Sequence, residues 1–486
     1  MSLLKKNIFF NTLLSVSQIL FPLVTFPYAS RVLGPEAIGA VSFADNFTIY
    51  FLIFSALGIP MYGIREVAKV RNDPDKLGQV FSELLLIHFC TSLIAVFILF
   101  SISFFTERLR LNFGLYQIGM AIVLGSVFMA EWFFQGIEKF QFIAVRSVCA
   151  RVVTVLLLFI FVHSVEDRDL YYGLNLITVI IGASINMLAI RKIIKISYKG
   201  TEFKRHFKPL LVIFSNSIVT SVYLVFDTII LGFLTNDLNV GYYSAAMRLS
   251  KISLAVIGVL GAVLLPRLTL AFEQKDFTDA RMLINKSLSF VVFLSIPIAM
   301  GTLCLSKEII FLFAGNRYAP SVYSLNILCF VVIVIGFALV FANQILLPLH
   351  KEKNILYASM FGMVISLLLN FTLIPIFKHV GAAISSFTTE LVVTLVLFYY
   401  ARRAFNFGFP FKLFFQSIST ALFFFVFRYI CYLFTNNVLI VVVVTVTSSS
   451  LFYGIMQLFI WRNRNVLETL SSISSFAFLK KYISNG

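Results

Sequence analysis

Apolar runs of about twenty residues follow one another along the chain, separated by short polar stretches. They predict helices near 8–30, 39–60, 81–104, 112–135, 143–163, 170–190, 209–234, 242–266, 285–306, 322–347, 355–377, 381–400, 412–434 and 438–461. Each run is long enough to cross ~30 Å of hydrocarbon at ~1.5 Å per residue. Only Lys378, His379 and Val380 separate the eleventh run from the twelfth. The pattern therefore predicts an all-α polytopic membrane protein with about fourteen spans and both termini on one side. Lys5 and Lys6 precede a first run that continues to about Ala29, too long for a signal-peptide core. An uncleaved first span with a cytoplasmic N-terminus is expected.

Composition supports that class. The chain is 59% hydrophobic and 13% charged, against roughly 25% charged residues in a soluble domain. Its net charge of +17 could suggest nucleic acid, but no basic stripe interleaved with aromatics stands outside the spans, so no nucleic-acid partner is expected. Of the 39 Lys and Arg, Arg31, Arg108, Arg110, Arg168, Lys307, Arg317 and Lys378 fall in outer loops, and Arg248, Lys251 and Arg428 fall inside spans. The rest lie in segments on the inner side, the asymmetry that orients short loops. Cys90, Cys149, Cys304, Cys329 and Cys431 all fall within apolar spans without a C-x-x-C, and read as core residues. Trp132, Trp461 and many Tyr sit near span ends, where an aromatic belt is expected.

The chain also repeats itself. Residues 39–60 and 241–266 both open G-x-x-S-x-A (Gly39, Ser42, Ala44; Gly241, Ser244, Ala246) and close on proline (Pro60, Pro266). Asp45 and Asn46 stand where the later copy has Met247 and Arg248. Six helices per half is an even number, so the repeat is parallel, with its axis along the membrane normal. The expected organisation is a lobe over 1–190, a basic cytoplasmic linker over 191–208, a second lobe over 209–400, and two further helices with a cytoplasmic tail over 401–486.

FDTIILGFL at 226–234 with GYYSAAMRL at 241–249, and RVLGPEAIGAVSFA at 31–44 with GIREVAK at 63–69, resemble polysaccharide flippases of the Wzx/RfbX type. These belong to the superfamily that also holds the lipid II flippase and the MATE drug exporters. The resemblance implies two six-helix lobes around a central cavity, and a last pair of spans like the extra pair of the lipid II flippase. The implied location is a bacterial inner membrane. The implied cargo is an undecaprenyl-diphosphate-linked oligosaccharide for surface polysaccharide such as O-antigen or capsule, with a polymerase and a chain-length regulator as further partners.

Intramembrane charge is where a mechanism would reside, because a charged side chain in hydrocarbon costs at least ~2.5–3.5 kcal/mol and usually faces an interior or a watery path. Arg248 and Lys251 share a helix face at i, i+3 and are expected to attract the diphosphate. Asp45 or Asp227, at similar depth, would neutralise Arg248 when cargo is absent, with Asn46 beside them. Arg146 and Arg151 could meet the head group from the inner side or snorkel to it. Glu131 reads as interfacial, His88 as a hydrogen-bonded interior histidine, and Arg428 as snorkelling to the outer surface. Glu390 has no evident partner. Asn216, Asn343, Asn370 and Gln344 could bond sugars or neighbouring helices. No cofactor and no metal are expected; proton or sodium coupling is left open. No nucleotide-binding loop, metal cluster or nucleophile triad occurs, and the short outer loops argue against an enzyme. A cation-coupled small-molecule exporter on the same scaffold is the competing reading.

Overall fold

The computed structural model describes residues 3–195, 202–462 and 467. Inside the helices it leaves out the side chains of Asn216, 219–225, 255–256, 258–264, Pro266 and most of the first nineteen residues. The central part of the expected linker and nearly all of the tail after Arg462 therefore lie outside the described residues.

The described chain is helical from end to end, as it must be in lipid, where only helices or closed barrels satisfy their own backbone. Contacts divide it into two compact units, Met1–Gly241 and Tyr242–Gly486. The first unit holds α1 (Leu3–Ala56), α2 (Ile59–Val70), α3 (Pro74–Phe105), α4 (Phe113–Met129), α5 (Glu131–Gly136), α6 (Phe140–Phe161), α7 (Arg168–Arg191) and α8 (Lys204–Leu234). The helix α9 (Asp237–Glu273) begins in the first unit and continues into the second. The second unit adds α10 (Phe277–Cys304), α11 (Ser306–Ala314), α12 (Ser321–Leu328), α13 (Val331–Leu339), α14 (Glu352–Ala404), α15 (Phe411–Phe434) and α16 (Val438–Ile455). Within the first unit α8 packs on α1 and α2.

Among the described residues, ten segments are long and apolar enough to cross a membrane. Two of these are twice the usual length and carry a backbone break. In α1 the break is Gly34 (φ 79, ψ 174), which precedes Pro35; glycine takes this conformation without strain, and the residue before proline avoids the helical region. In α14 it is Lys378 (φ 52, ψ −129). A Cβ on Gly381 would lie 2.4 Å from the Leu373 carbonyl oxygen, so the chain doubles back here, at the three residues that separate the eleventh and twelfth apolar runs.

Large apolar side chains are exposed along many helices, among them Phe97, Leu368, Ile376 and Phe415. Water would not tolerate so much exposed apolar surface, whereas acyl chains match it. The expected cysteine core is only partly present: Cys304 and Cys329 are buried, but Cys90 and Cys149 are exposed on that apolar surface. Trp132 is not part of an aromatic belt. It is buried in the core of the first unit, stacked on Phe81 at 5.6 Å, because the chain breaks at Ala130 (φ 36, ψ 40) and α5 turns inward to pack on α2.

The repeated glycines meet. A Cβ on Gly39 would lie 1.7 Å from the Asp237 carbonyl oxygen, and one on Gly241 would lie 1.9 Å from that of Pro35. No side chain fits in this crossing of α1 with the start of α9. In the second unit α13 passes into a wider turn over Val340–Leu346, where Leu347 N–H donates to the Ala342 carbonyl at 2.9 Å. This i→i+5 pattern inserts one residue into the helix.

Candidate functional site: buried charges of the two units

Asp45 and Asn46 are half-buried on the second segment of α1. The Asn46 amide donates to the Ser42 carbonyl of its own helix at 2.7 Å. Asp227 on α8 is buried, and its charge acts on Tyr50, whose ring meets Phe226 edge-on at 5.9 Å. Both candidate carboxylates thus belong to the first unit. Arg248, half-buried, and Lys251, exposed, lie on the part of α9 that belongs to the second unit.

Arg146 does not snorkel. It is buried on α6 and forms an ion pair with Glu131. It also donates to Ser147 Oγ at 2.8 Å and to the Gly182 carbonyl at 3.4 Å. Glu131 is therefore the partner of a buried arginine rather than an interfacial residue. The geometry has a local cause: the break at Ala130 starts α5 at Glu131, and Asn186 holds the Met129 carbonyl at that break. Arg151 reaches the first helix instead of the surface, donating to Ser17 Oγ at 3.0 Å.

A second cluster was not picked out from the sequence. Glu83 is wholly buried on α3 and accepts from Arg205 Nη2, the Glu202 N–H and His206 Nε2, each at 2.7 Å. His206 Nδ1 is 2.9 Å from the Tyr62 hydroxyl. This network ties α2, α3 and the first turn of α8 together. Its signal was present: Glu83 is the sole acid in the apolar run from Leu77 to Phe105.

In the second unit Arg428 on α15 donates through Nε and Nη2 to Glu308 Oε1 at 3.0 and 2.6 Å, and Tyr432 donates to the same oxygen at 2.6 Å. Arg428 is thus held by a buried carboxylate and does not reach out to the surface. Glu308 lies outside the membrane-spanning segments. Burial pushes its carboxyl up, but the bonds from Arg428 and Tyr432 outweigh burial and leave it below the usual carboxylate value. At one end of the first unit Arg108 donates to the Thr235 carbonyl at 2.9 Å and to Asp237 at 3.1 Å, while Asn112 accepts from Arg168 at 2.8 Å.

The weaker candidates divide. His88 is buried, yet its Nε2 has no hydrogen-bond partner among the described residues. Asn370 donates to Ser366 of its own helix at 3.1 Å. Gln344 is buried while Asn343 is exposed, and the side chain of Asn216 lies outside the described residues. Glu390 is buried on α14. Among the described residues no group of three His, Cys, Asp or Glu could hold a metal ion.

Comparison with known proteins decides the family. The family model described as polysaccharide biosynthesis protein matches residues 4–272, more than half of the chain. The chain belongs to the polysaccharide biosynthesis protein family. The MatE model matches residues 212–372 of this polysaccharide biosynthesis protein as well. A protein of Escherichia coli (strain K12) named for O-antigen transport is 25% identical over 404 residues, 82% of this chain and 97% of that protein. The fold is that of a lipid II flippase MurJ in an inward closed conformation, with a TM-score of 0.70, 17% identity, and coverage of 92% of this chain and 98% of the other. An inward-facing MATE-family multidrug transporter of the MOP superfamily matches with a TM-score of 0.59 at 14% identity, covering 79% of this chain and 94% of the other. This polysaccharide biosynthesis protein is a multi-pass membrane transporter.

Proposed function

We propose that the protein flips an undecaprenyl-diphosphate-linked oligosaccharide from the inner to the outer leaflet of a bacterial cytoplasmic membrane, by alternating access, for surface polysaccharide synthesis. The observation that carries this reading is the family match over residues 4–272, reinforced by the E. coli O-antigen relative that it matches almost end to end. The physical task is to move a sugar–diphosphate head through hydrocarbon while its lipid tail stays in the bilayer. An inside-negative potential favours outward movement of that head by ~2.3 kcal/mol per charge per 100 mV if the charge crosses the full field, so nucleotide hydrolysis is not required.

Arg248 and Lys251 are the proposed diphosphate contacts, with Asp45 or Asp227 as the counter-charge and Asn46 beside it. Arg146 would join them only by leaving Glu131. The proposed topology has fourteen crossings with both termini in the cytoplasm: the segments broken at Gly34 and Lys378 count twice, and α8 and α9 are added. The MatE match over 212–372 favours a second reading, a cation-coupled small-molecule exporter.

Deletion of the gene followed by analysis of lipid-linked oligosaccharides separates the two. Flipping predicts loss of surface polysaccharide with accumulation of lipid-linked repeat units on the inner face. Normal surface polysaccharide would overturn it, and a drug-sensitivity phenotype alone would favour the exporter.

A further inference from the structure

The network around Glu83 forms one wall of an open cleft of about 600 Å³ in the first unit, between α2 and the start of α8. That volume is in the range of small-ligand sites. Four cations line the cleft: Arg65 and Lys69 from α2, Arg205 and Lys208 from α8. Arg65 and Lys69 are four residues apart on one helix and so share a face. Glu66 also lines the cleft and pairs with Lys69 at 2.6 Å, while Arg205 is held by Glu83 at 2.7 Å. Arg65 and Lys208 have no ion pair among the described residues, so the cleft keeps uncompensated positive charge.

The walls are fixed rather than fluid. Glu83, His206 and Tyr62 are all buried, and their mutual bonds hold the first turn of α8 against α2 and α3. Arg205 spends one guanidinium nitrogen on Glu83 and stays partly exposed toward the cleft. The arrangement is a concave surface with one anchored guanidinium, Arg205, and three exposed cations around it, which suits a multiply charged, oxygen-rich anion more than a lone carboxylate.

We propose that this cleft binds a phosphate group carried on a lipid, distinct from the proposed cargo contacts Arg248 and Lys251. The group is either the head of an anionic bilayer phospholipid or the diphosphate of a polyprenyl carrier. In the proposed flipping topology the cleft faces the inner leaflet; that placement rests on the proposed function, and the binding itself does not.

The test uses the full-length protein in neutral phosphatidylcholine nanodiscs, with phosphatidylglycerol or a polyprenyl diphosphate titrated in and bound lipid counted by native mass spectrometry. Arg65→Gln with Lys208→Gln removes the two unpaired charges without touching the Glu83 network. Two exposed charge contacts to a phosphate, at the upper end of the range for surface ion pairs, are worth about a thirty-fold change in affinity. A loss of that size for either lipid supports the site, and the lipid that responds identifies the source of the phosphate. Arg71→Gln with Lys76→Gln removes two exposed charges that do not line the cleft and is expected to leave binding within about two-fold, with salt screening alone acting on it. Equal losses in both double variants would reduce the cleft to general surface charge and overturn the proposal, as would unchanged binding in Arg65→Gln/Lys208→Gln. Because the readout is binding, the flipping reading can fail in the deletion experiment while this site stands, or the reverse.

Discussion

Arg146 offers the sharpest separation of packing from transport. Its side chain is 3% exposed, while that of Glu131 keeps 35%. The two members of the pair should therefore be unequal. Glu131→Gln strands a guanidinium that has almost no access to solvent, and is expected to cost about 3 kcal/mol, the low end of the range for breaking a buried pair. Arg146→Met leaves a carboxylate that can still reach a polar environment and deprives the Gly182 carbonyl of a donor, for about 2 kcal/mol. The double variant Arg146→Met/Glu131→Gln removes both charges together and should recover most of the loss, since neutral replacement of a buried pair is often close to isoenergetic. Reversible unfolding in mixed micelles, run as a double-mutant cycle, measures all three. Additive losses would refute the reasoning, because they would mean that the two side chains are not coupled. Export by the stable double variant then decides whether Arg146 also contacts cargo: export is retained if its work is confined to packing.

The remaining predictions are briefer. Gly39→Ala puts a methyl where the Asp237 carbonyl stands and should cost about 1–3 kcal/mol, whereas Gly301→Ala, with nothing within 4 Å of the new methyl, should be neutral or slightly stabilising; equal effects in a thermal melt would contradict the close crossing. Glu308 has a folded value below its ordinary 4.5, so its charge contributes stability that is complete above pH 4.5 and is lost as the pH falls through that lower folded value. The stability gap between wild type and Glu308→Gln should therefore be flat from pH 7 to about 5 and narrow below that, and a gap that widened on acidification would be the wrong sign. Arg248→Ala should abolish export at unchanged protein level; export at the wild-type rate would remove Arg248 from the transport path.

The membrane-crossing helices were legible because the bilayer imposes one length on every span. Even the abrupt reversal at Lys378 shows in the sequence, as three residues between two long apolar runs. The family was legible too, in short motifs at Gly39, Asp227 and Gly241. What the sequence hid were the partners of its buried charges. Glu131 and Arg146 are fifteen residues apart, Glu83 and His206 are 123 apart, and Glu308 and Arg428 are 120 apart. No periodicity links such positions, so Arg428 read as a snorkelling residue and Glu83 drew no notice. Trp132 was misjudged for a related reason. Its place near a span end suggested an interface, but the break at Ala130 is a backbone event with no glycine or proline to mark it.

The inserted residue at Val340–Leu346 bears on how this chain can be matched to its relatives. One extra residue turns everything after Leu346 by about 100° compared with an unbroken continuation from Val331. A relative built without it must carry its compensating gap inside an apolar stretch, where alignments seldom place one. Shift the gap into the following loop, and the residues between are compared one position out of register, so that Asn343, which is exposed, is set against the place of its buried neighbour Gln344.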